Sequence, residues 1–342
     1  MKELNSVENI SGNKIVILRM DTDLPISDGQ ILDNSRLIKS IPTIKLLLER
    51  KNKIIIVGHL GRPKENDKSL TLKPVYLELI EILEKECGGD CVRNVFVDDI
   101  KDEEKIKKAI DENEIIFGEN LRFYPEEENG ETALFSVLKK YCSAFINDAF
   151  AVAHRKAASI LLHREMETYY GLHFMEEVKK ISQILEKKEK PMVVVLGGAK
   201  EDKLKYLNSL VKIADWVLVG GKLPRLRPAG YDGQSKIIWA GLREDGLDLS
   251  DEDIKIFKEK IESAKVIVWA GAMGFYEDKN CQKGTEEIAK AIAESNSYKT
   301  IAGGDTAASI INLGLKDKIN FICSGGGVML EFLIKDTLPA WE

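Results

Sequence analysis

At 342 residues, with 44% hydrophobic and 31% charged side chains, the chain has the composition of a soluble globular protein and exceeds what one core usually organises, so two domains are expected. A formal net charge of −6 argues against a general nucleic-acid binder. The opening residues carry no apolar segment of the signal type and no apolar run reaches the length of a membrane span, so a cytosolic protein without membrane contact is expected.

Short β-rich runs follow one another at "KIVILRM", "NKIIIVGH", "EIIFGENL", "SAFINDAF", "PMVVVLGG", "DWVLVGG", "SKIIWAG", "KVIVWAG", "YKTIAGG" and "NFICSGG". Amphipathic helical segments such as "NSRLIKSIPTIKLLLERK" and "DEDIKIFKEKIESAK" separate many of them. Apolar strands with helical crossovers imply mainly parallel sheets covered by helices. From about residue 174 a charged helical stretch, "FMEEVKKISQILEKKEKP", runs to Pro191 and divides the strands into two sets. The fold expected is therefore α/β: two doubly wound, Rossmann-like parallel-sheet domains, residues 1–173 and 191–334, joined by a hinge helix over 174–190 and followed by a tail at 335–342.

In open α/β sheets, ligands sit beyond the carboxyl ends of the strands. There the first domain presents Asp21, Asp23, His59, Arg62, Arg122, His154 and Arg155, with Arg36 at the start of the first long helix. Guanidinium forks suit carboxylate and phosphate oxygens. The competing reading, in which each arginine pairs with a surface carboxylate, weakens when four arginines share one sheet edge.

The second domain presents glycine: "LGGAKEDK", "VGGKLP", "WAGAMGFYE", "AGGDTAAS" and "CSGGGVML". Backbone N–H groups at helix starts, Lys200 and Lys203 supply positive character, and Asp305 suits Mg²⁺. Two plainer readings stay open here: steric need for glycine in tight turns, and Asp305 as a helix cap. Neither a Walker A sequence nor G-x-G-x-x-G occurs. Five scattered cysteines do not form a disulfide framework, "CGGDC" at residues 87–91 lacks partners for zinc, and four histidines without H-E-x-x-H argue against a histidine-built metal hydrolase. One domain prepared for a small anion and another for a nucleotide suggest phosphoryl transfer.

The segments "GHLGRPK", "ENLRFYPEEE", "NDAFAVAHR", "LGGAK", "GGDTAA" and "SGGGVMLEFL" resemble, in order, the signatures of the phosphoglycerate kinase family, and the resemblance runs from about residue 14 to 339. It implies a glycolytic kinase that moves a phosphoryl group between 1,3-bisphosphoglycerate and Mg-ADP, giving 3-phosphoglycerate and ATP. By the same resemblance, Asp21, Asp23, Arg36, His59, Arg62, Arg122 and Arg155 would bind 3-phosphoglycerate. Arg36, Lys200, Lys203 and Gly326 would serve the transfer. Gly198, Ala199, Lys200, Lys203, Gly220, Gly221, Leu247, Glu277, Gly304, Asp305, Thr306, Gly325, Gly326 and Gly327 would hold ATP or ADP, with Asp305 on Mg²⁺. Hinge closure and a cytoplasmic monomer are further implications.

The chain also departs from that pattern. Asp23 stands where the family has asparagine, Ala270 and Ala272 replace an asparagine and a proline, "GGAKEDK" is one residue short, and the stretch from "VGGKLPRLRPAG" to "GLDLSDEDI" is abbreviated. A protein that binds phosphorylated carboxylates without efficient transfer, and a carboxylate kinase with another nucleotide or acceptor, are the alternative readings.

Overall fold

The computed structural model describes residues 3–64, 67–87, 92–187, 189–231 and 234–342; Cys91 of "CGGDC" lies outside them. The chain divides into two compact units, one made of residues up to Val178 together with Thr337–Glu342, the other of Lys179–Asp336. The division falls inside the helix Leu172–Lys187.

The first unit holds β1 (Ile15–Arg19), a hairpin of β2 (Ile26–Ser27) and β3 (Gln30–Ile31), then β4 (Lys53–Val57), β5 (Asn94–Val97), β6 (Ile115–Gly118), β7 (Ala144–Asn147) and β8 (Thr168–Tyr170). Six of these form a sheet in the order β5-β6-β4-β1-β7-β8, every pair parallel. Side chains alternate between its faces: Val16, Leu18, Ile54 and Ile56 enter one core, Ile17, Ile55 and Val57 the other. Helices Ser35–Glu49 and Lys73–Cys87 supply apolar residues to the first core, and Glu103–Glu112 to the second. The β2–β3 turn is Asp28–Gly29, both at positive φ, as a two-residue hairpin requires.

The last residues belong to this unit. Trp341 is buried, its ring 5.8 Å from that of Phe174, and Ala340 N–H donates to the Ala153 carbonyl. Helix Leu172–Lys187 is fastened at its start: Leu172 N–H donates to Thr43 Oγ1 at 2.9 Å and Phe174 N–H to Asp148 Oδ1 at 3.1 Å.

The second unit holds β9 (Met192–Leu196), β10 (Trp216–Val219), β11 (Ile237–Trp239), β12 (Val266–Ala270), β13 (Tyr298–Ala302) and β14 (Phe321–Cys323), in the order β11-β10-β9-β12-β13-β14, again all parallel. Leu196, Ala270 and Ala302 are in register, so the glycine-bearing turns after them leave the sheet at one level.

All ten β-rich runs form strands. β5, β8 and the β2–β3 hairpin were not expected from the sequence. No helix among the described residues is long and apolar enough to cross a membrane.

Candidate active site

The carboxyl edge of the first sheet is cationic. β1 ends on Arg19, in register with Val57 and Asn147. A cavity of about 410 Å³ beyond this edge is lined by Arg19, His59, Arg122, Glu127, Glu128, Arg155 and Lys156 among others. His59 is buried; desolvation, then the charges of Arg19, Arg122, Arg155 and Arg36, hold its pKa well below the usual imidazole value. It is neutral at pH 7.

Burial lowers the Arg122 pKa, and the like charges of Arg155 and Arg62 add to that effect against Glu128 and Asp23. Arg122 donates to the Gly61 carbonyl, and its Nε lies 3.4 Å from Glu128 Oε1. The buried Nε of Arg155 has no hydrogen-bond partner among the described residues. A buried N–H without an acceptor is costly, and an anionic ligand would supply one.

Other expected residues surround this cavity without lining it. Arg36 Nη1 lies 3.0 Å from both carboxylate oxygens of Asp21. Asp23 uses Oδ1 to accept from Gly61 N–H at 2.8 Å, while its Oδ2 is 3.8 Å from His59 Nε2. The carboxylate in the asparagine position is thus partly occupied by the backbone of its own unit. Arg62 is exposed.

In the second unit the connection from β9 leads to β10 on one side and that from β12 to β13 on the other, which makes the β9/β12 crevice the topological switch point. Its floor is backbone packed on backbone: Gly198 N–H donates to Ala272 O at 2.7 Å and Gly221 N–H to Met273 O at 3.0 Å. Gly221 has φ +61°, and a Cβ there would lie 2.6 Å from Gly198 N. A cavity of about 430 Å³ opens above, lined by the expected Gly198, Ala199, Gly221, Leu247, Glu277 and Asp305. Leu247 and Phe275, both exposed, give it apolar surface.

Asp305 is exposed in the first turn of helix Gly304–Asn312, whose N-cap is Gly303 without a side-chain cap bond, so the helix-cap reading of Asp305 does not apply. Among the described residues no three His, Cys, Asp or Glu side chains gather as a metal cage. Mg²⁺ bound chiefly through phosphates needs only one or two protein carboxylates, and Asp305 at this cavity fits that demand.

The remaining expected nucleotide residues do not line this cavity. Gly220 is buried against Met273. Lys200 is exposed. Thr306 is fully buried and its Oγ1 accepts from Gly271 N–H at 2.8 Å. Lys203 is turned inward, Nζ donating to the carbonyls of Gly197 at 2.8 Å and Ala270 at 3.1 Å. Burial lowers its pKa to about 8 against the opposing charges of Asp202 and Asp305, with Lys200 adding to the depression.

Gly325 caps and Gly326 and Gly327 open the helix Gly326–Lys335. Gly326 lacks a positive φ, and a Cβ there would come no nearer than 3.6 Å to its neighbours; at Gly304 it would meet nothing within 4 Å. Local sterics therefore do not demand glycine at position 304 or 326, although the preceding Gly303 has φ +100°. Both keep the backbone approachable.

Sequence reasoning missed Arg19, Glu127 and Lys156 in the first cavity, and Lys222, Arg225, Gly246 and Phe275 in the second. A signal existed for Arg19, a charge inside the apolar run "KIVILRM".

A cationic pocket on one parallel α/β unit and a glycine-floored pocket at the switch point of another define a two-domain phosphotransferase architecture. The family model described as phosphoglycerate kinase matches residues 7–226 and 235–335. Phosphoglycerate kinase of Clostridium botulinum (strain Loch Maree / Type A3) is 34% identical, with 98% of this chain and 96% of that protein covered. That of Dictyoglomus turgidum is 32% identical, covering 97% and 95%. Among solved structures, phosphoglycerate kinase from Coxiella burnetii superposes with TM-score 0.76 at 29% identity over 99% of this chain and 98% of that one. The Pyrococcus horikoshii enzyme gives 0.81 at 28% over 98% and 97%. The chain belongs to the phosphoglycerate kinase family and is an ATP-dependent kinase. The interruption of the family match at 227–234 falls within the abbreviated stretch.

Proposed function

We propose that the first unit binds 3-phosphoglycerate or 1,3-bisphosphoglycerate, that the second binds ATP or ADP with Mg²⁺, and that the protein moves the phosphoryl group between them. The observation that carries this assignment is the cationic cluster: neutral His59 ringed by arginines, with Arg155 Nε buried and lacking an acceptor among the described residues. Arg122, Arg155 and the Nε2–H of His59 take the phosphate and carboxylate oxygens of the acid. Arg36, held by Asp21, orients the reacting carboxylate.

On the nucleotide side, Leu247 and Phe275 cover the base and Glu277 accepts from the ribose. Asp305 would hold Mg²⁺, which would neutralise phosphate charge. The amides opening helix Gly326–Lys335 receive phosphoryl oxygens, and Lys200 and Lys203 balance the negative charge in transit. Transfer needs both ligands together with water excluded, and the helix Leu172–Lys187 is the segment we assign to that movement. The protein acts as a cytoplasmic monomer in this proposal.

The test is turnover of 3-phosphoglycerate with Mg-ATP, coupled to reduction of the product by glyceraldehyde-3-phosphate dehydrogenase. Steady turnover that Arg36→Ala abolishes supports the assignment; binding of 3-phosphoglycerate without turnover refutes it.

A further inference from the structure

At the first cavity four buried side chains, Glu127, Ser159, Arg19 and His59, are joined in a single file, and all but Ser159 line it. Ser159 donates through Oγ–H to Glu127 Oε1 at 2.6 Å and through its backbone N–H to Glu127 Oε2 at 2.9 Å. Arg19 Nε donates to Ser159 Oγ at 3.0 Å, and Arg19 Nη2 lies 2.8 Å from His59 Nδ1. Arg19, Ser159, Glu127 and His59 are exposed by 1%, 0%, 2% and 3%. They come from β1, from the helices Ala158–Leu161 and Pro125–Asn129, and from the loop after β4.

The direction of every proton in this file is forced. Both carboxylate oxygens of Glu127 accept, so the Ser159 hydroxyl proton points at Glu127 and its lone pair faces Arg19. A guanidinium only donates, so His59 Nδ1 must be an acceptor. The imidazole proton then sits on Nε2, at the ring edge not engaged by Arg19. Were the proton on Nδ1, two donors would oppose each other at 2.8 Å and a nitrogen lone pair would face an incoming anion.

We propose that Glu127 and Ser159 are positioning residues of the acid-binding site: acting through Arg19, they fix His59 as the neutral Nε2–H tautomer that donates to a ligand oxygen. This inference rests on the assignment of the first cavity to a phosphorylated carboxylate. Glu127 also balances the buried charge of Arg19, whose pKa burial lowers while Glu127, Asp21 and Asp23 oppose that shift. Ser159 does not line the cavity and Glu127 borders it; both of Glu127's carboxylate oxygens are taken by Ser159, so the pair reaches His59 through Arg19.

The experiment uses the full-length protein with ¹⁵N-labelled histidine and the variants Ser159→Ala and Glu127→Gln. Ser159→Ala leaves Arg19 Nε without an acceptor beside a carboxylate that can draw the guanidinium off His59. Glu127→Gln replaces one acceptor by a donor and turns the serine proton towards Arg19. In the unliganded wild type, long-range ¹H–¹⁵N spectra should show His59 only as the Nε2–H form; in either variant the Nδ1–H form should appear.

In steady-state assays the KM for 3-phosphoglycerate should rise by about tenfold while the KM for Mg-ATP stays within about twofold. A structural weakening of the unit without tautomer change would not produce that combination. A wild-type His59 protonated on Nδ1, or variants that keep the tautomer and the KM for 3-phosphoglycerate, overturn the proposal. Should one variant not fold, the other decides. The tautomer measurement needs no substrate, so a wild type that fails to turn over 3-phosphoglycerate would refute the functional assignment while the proton file is still judged by its spectrum.

Discussion

Lys203 Nζ donates to the carbonyl of Ala270 at 3.1 Å, a bond that fastens a charged side chain to the end of β12 where the family pattern has asparagine. With a pKa lowered to about 8 by burial, Lys203 loses its proton near neutrality rather than in strong alkali. If its charge stabilises the moving phosphoryl group, kcat falls as pH rises through about 8. Lys203→Arg should abolish that alkaline limb, because a guanidinium stays charged, and Lys203→Met should lower kcat by about 10² or more at pH 7. A pH–rate profile of the three proteins checks this; a limb that persists in the arginine variant would assign it to another group.

Asp21 accepts from one nitrogen of Arg36 with both oxygens at 3.0 Å, so removal of its charge should loosen the guanidinium without unfolding the unit. Asp21→Asn is expected to raise the KM for 3-phosphoglycerate by about tenfold, whereas Arg36→Ala should cost about 10³ in kcat/KM. Equal effects in the two variants would mean that Asp21 touches substrate itself.

The fold was legible because its buried strands are continuous apolar runs. β5 and β8 escaped notice because they are the edges of the first sheet, where the half-buried "NVFV" and the three-residue "TYY" carry a weak pattern. In the site, the arginines and glycines at strand ends were legible by type, but Arg19 was hidden within a strand that reads as core. Its partners Glu127 and Ser159 lie 108 and 140 positions further along the chain, a proximity that only the tertiary fold creates. The inward turn of Lys203 depends on the carbonyls of Gly197, just after β9, and Ala270, at the end of β12, meeting at one point. Lys222 and Arg225 follow the glycines after β10 and lie outside the segments that carried the resemblance, so nothing in the sequence marked them as lining the cavity.

Two glycines should separate function from folding. Gly326→Ala introduces a methyl with ordinary van der Waals room and no backbone strain, so thermal stability should stay within about 0.5 kcal/mol of the wild type while turnover falls through obstruction of the phosphoryl group. Gly221→Ala puts a Cβ at φ +61° and 2.6 Å from Gly198 N, and should destabilise by more than about 1 kcal/mol. Denaturant unfolding paired with kinetics distinguishes them, and a fully active Gly326→Ala protein would remove that helix start from the proposed mechanism.

Asp148 caps the helix Leu172–Lys187 from full burial, accepting from Phe174 N–H at 3.1 Å, and desolvation raises its pKa to about 7 against the hydrogen bonds that favour the carboxylate. A carboxyl whose pKa is higher folded than unfolded binds more protons in the native state. Its contribution to stability is therefore fully present below the unfolded value near 3.8 and is lost as pH rises through about 7. Asp148→Asn keeps an acceptor for Phe174 N–H and removes the titration, so the difference in unfolding free energy between wild type and variant should shift in favour of the variant as pH rises from 4 to 7. Urea midpoints measured across that range test the sign, and a difference that does not change with pH would mean that Asp148 is ionised throughout, despite its burial.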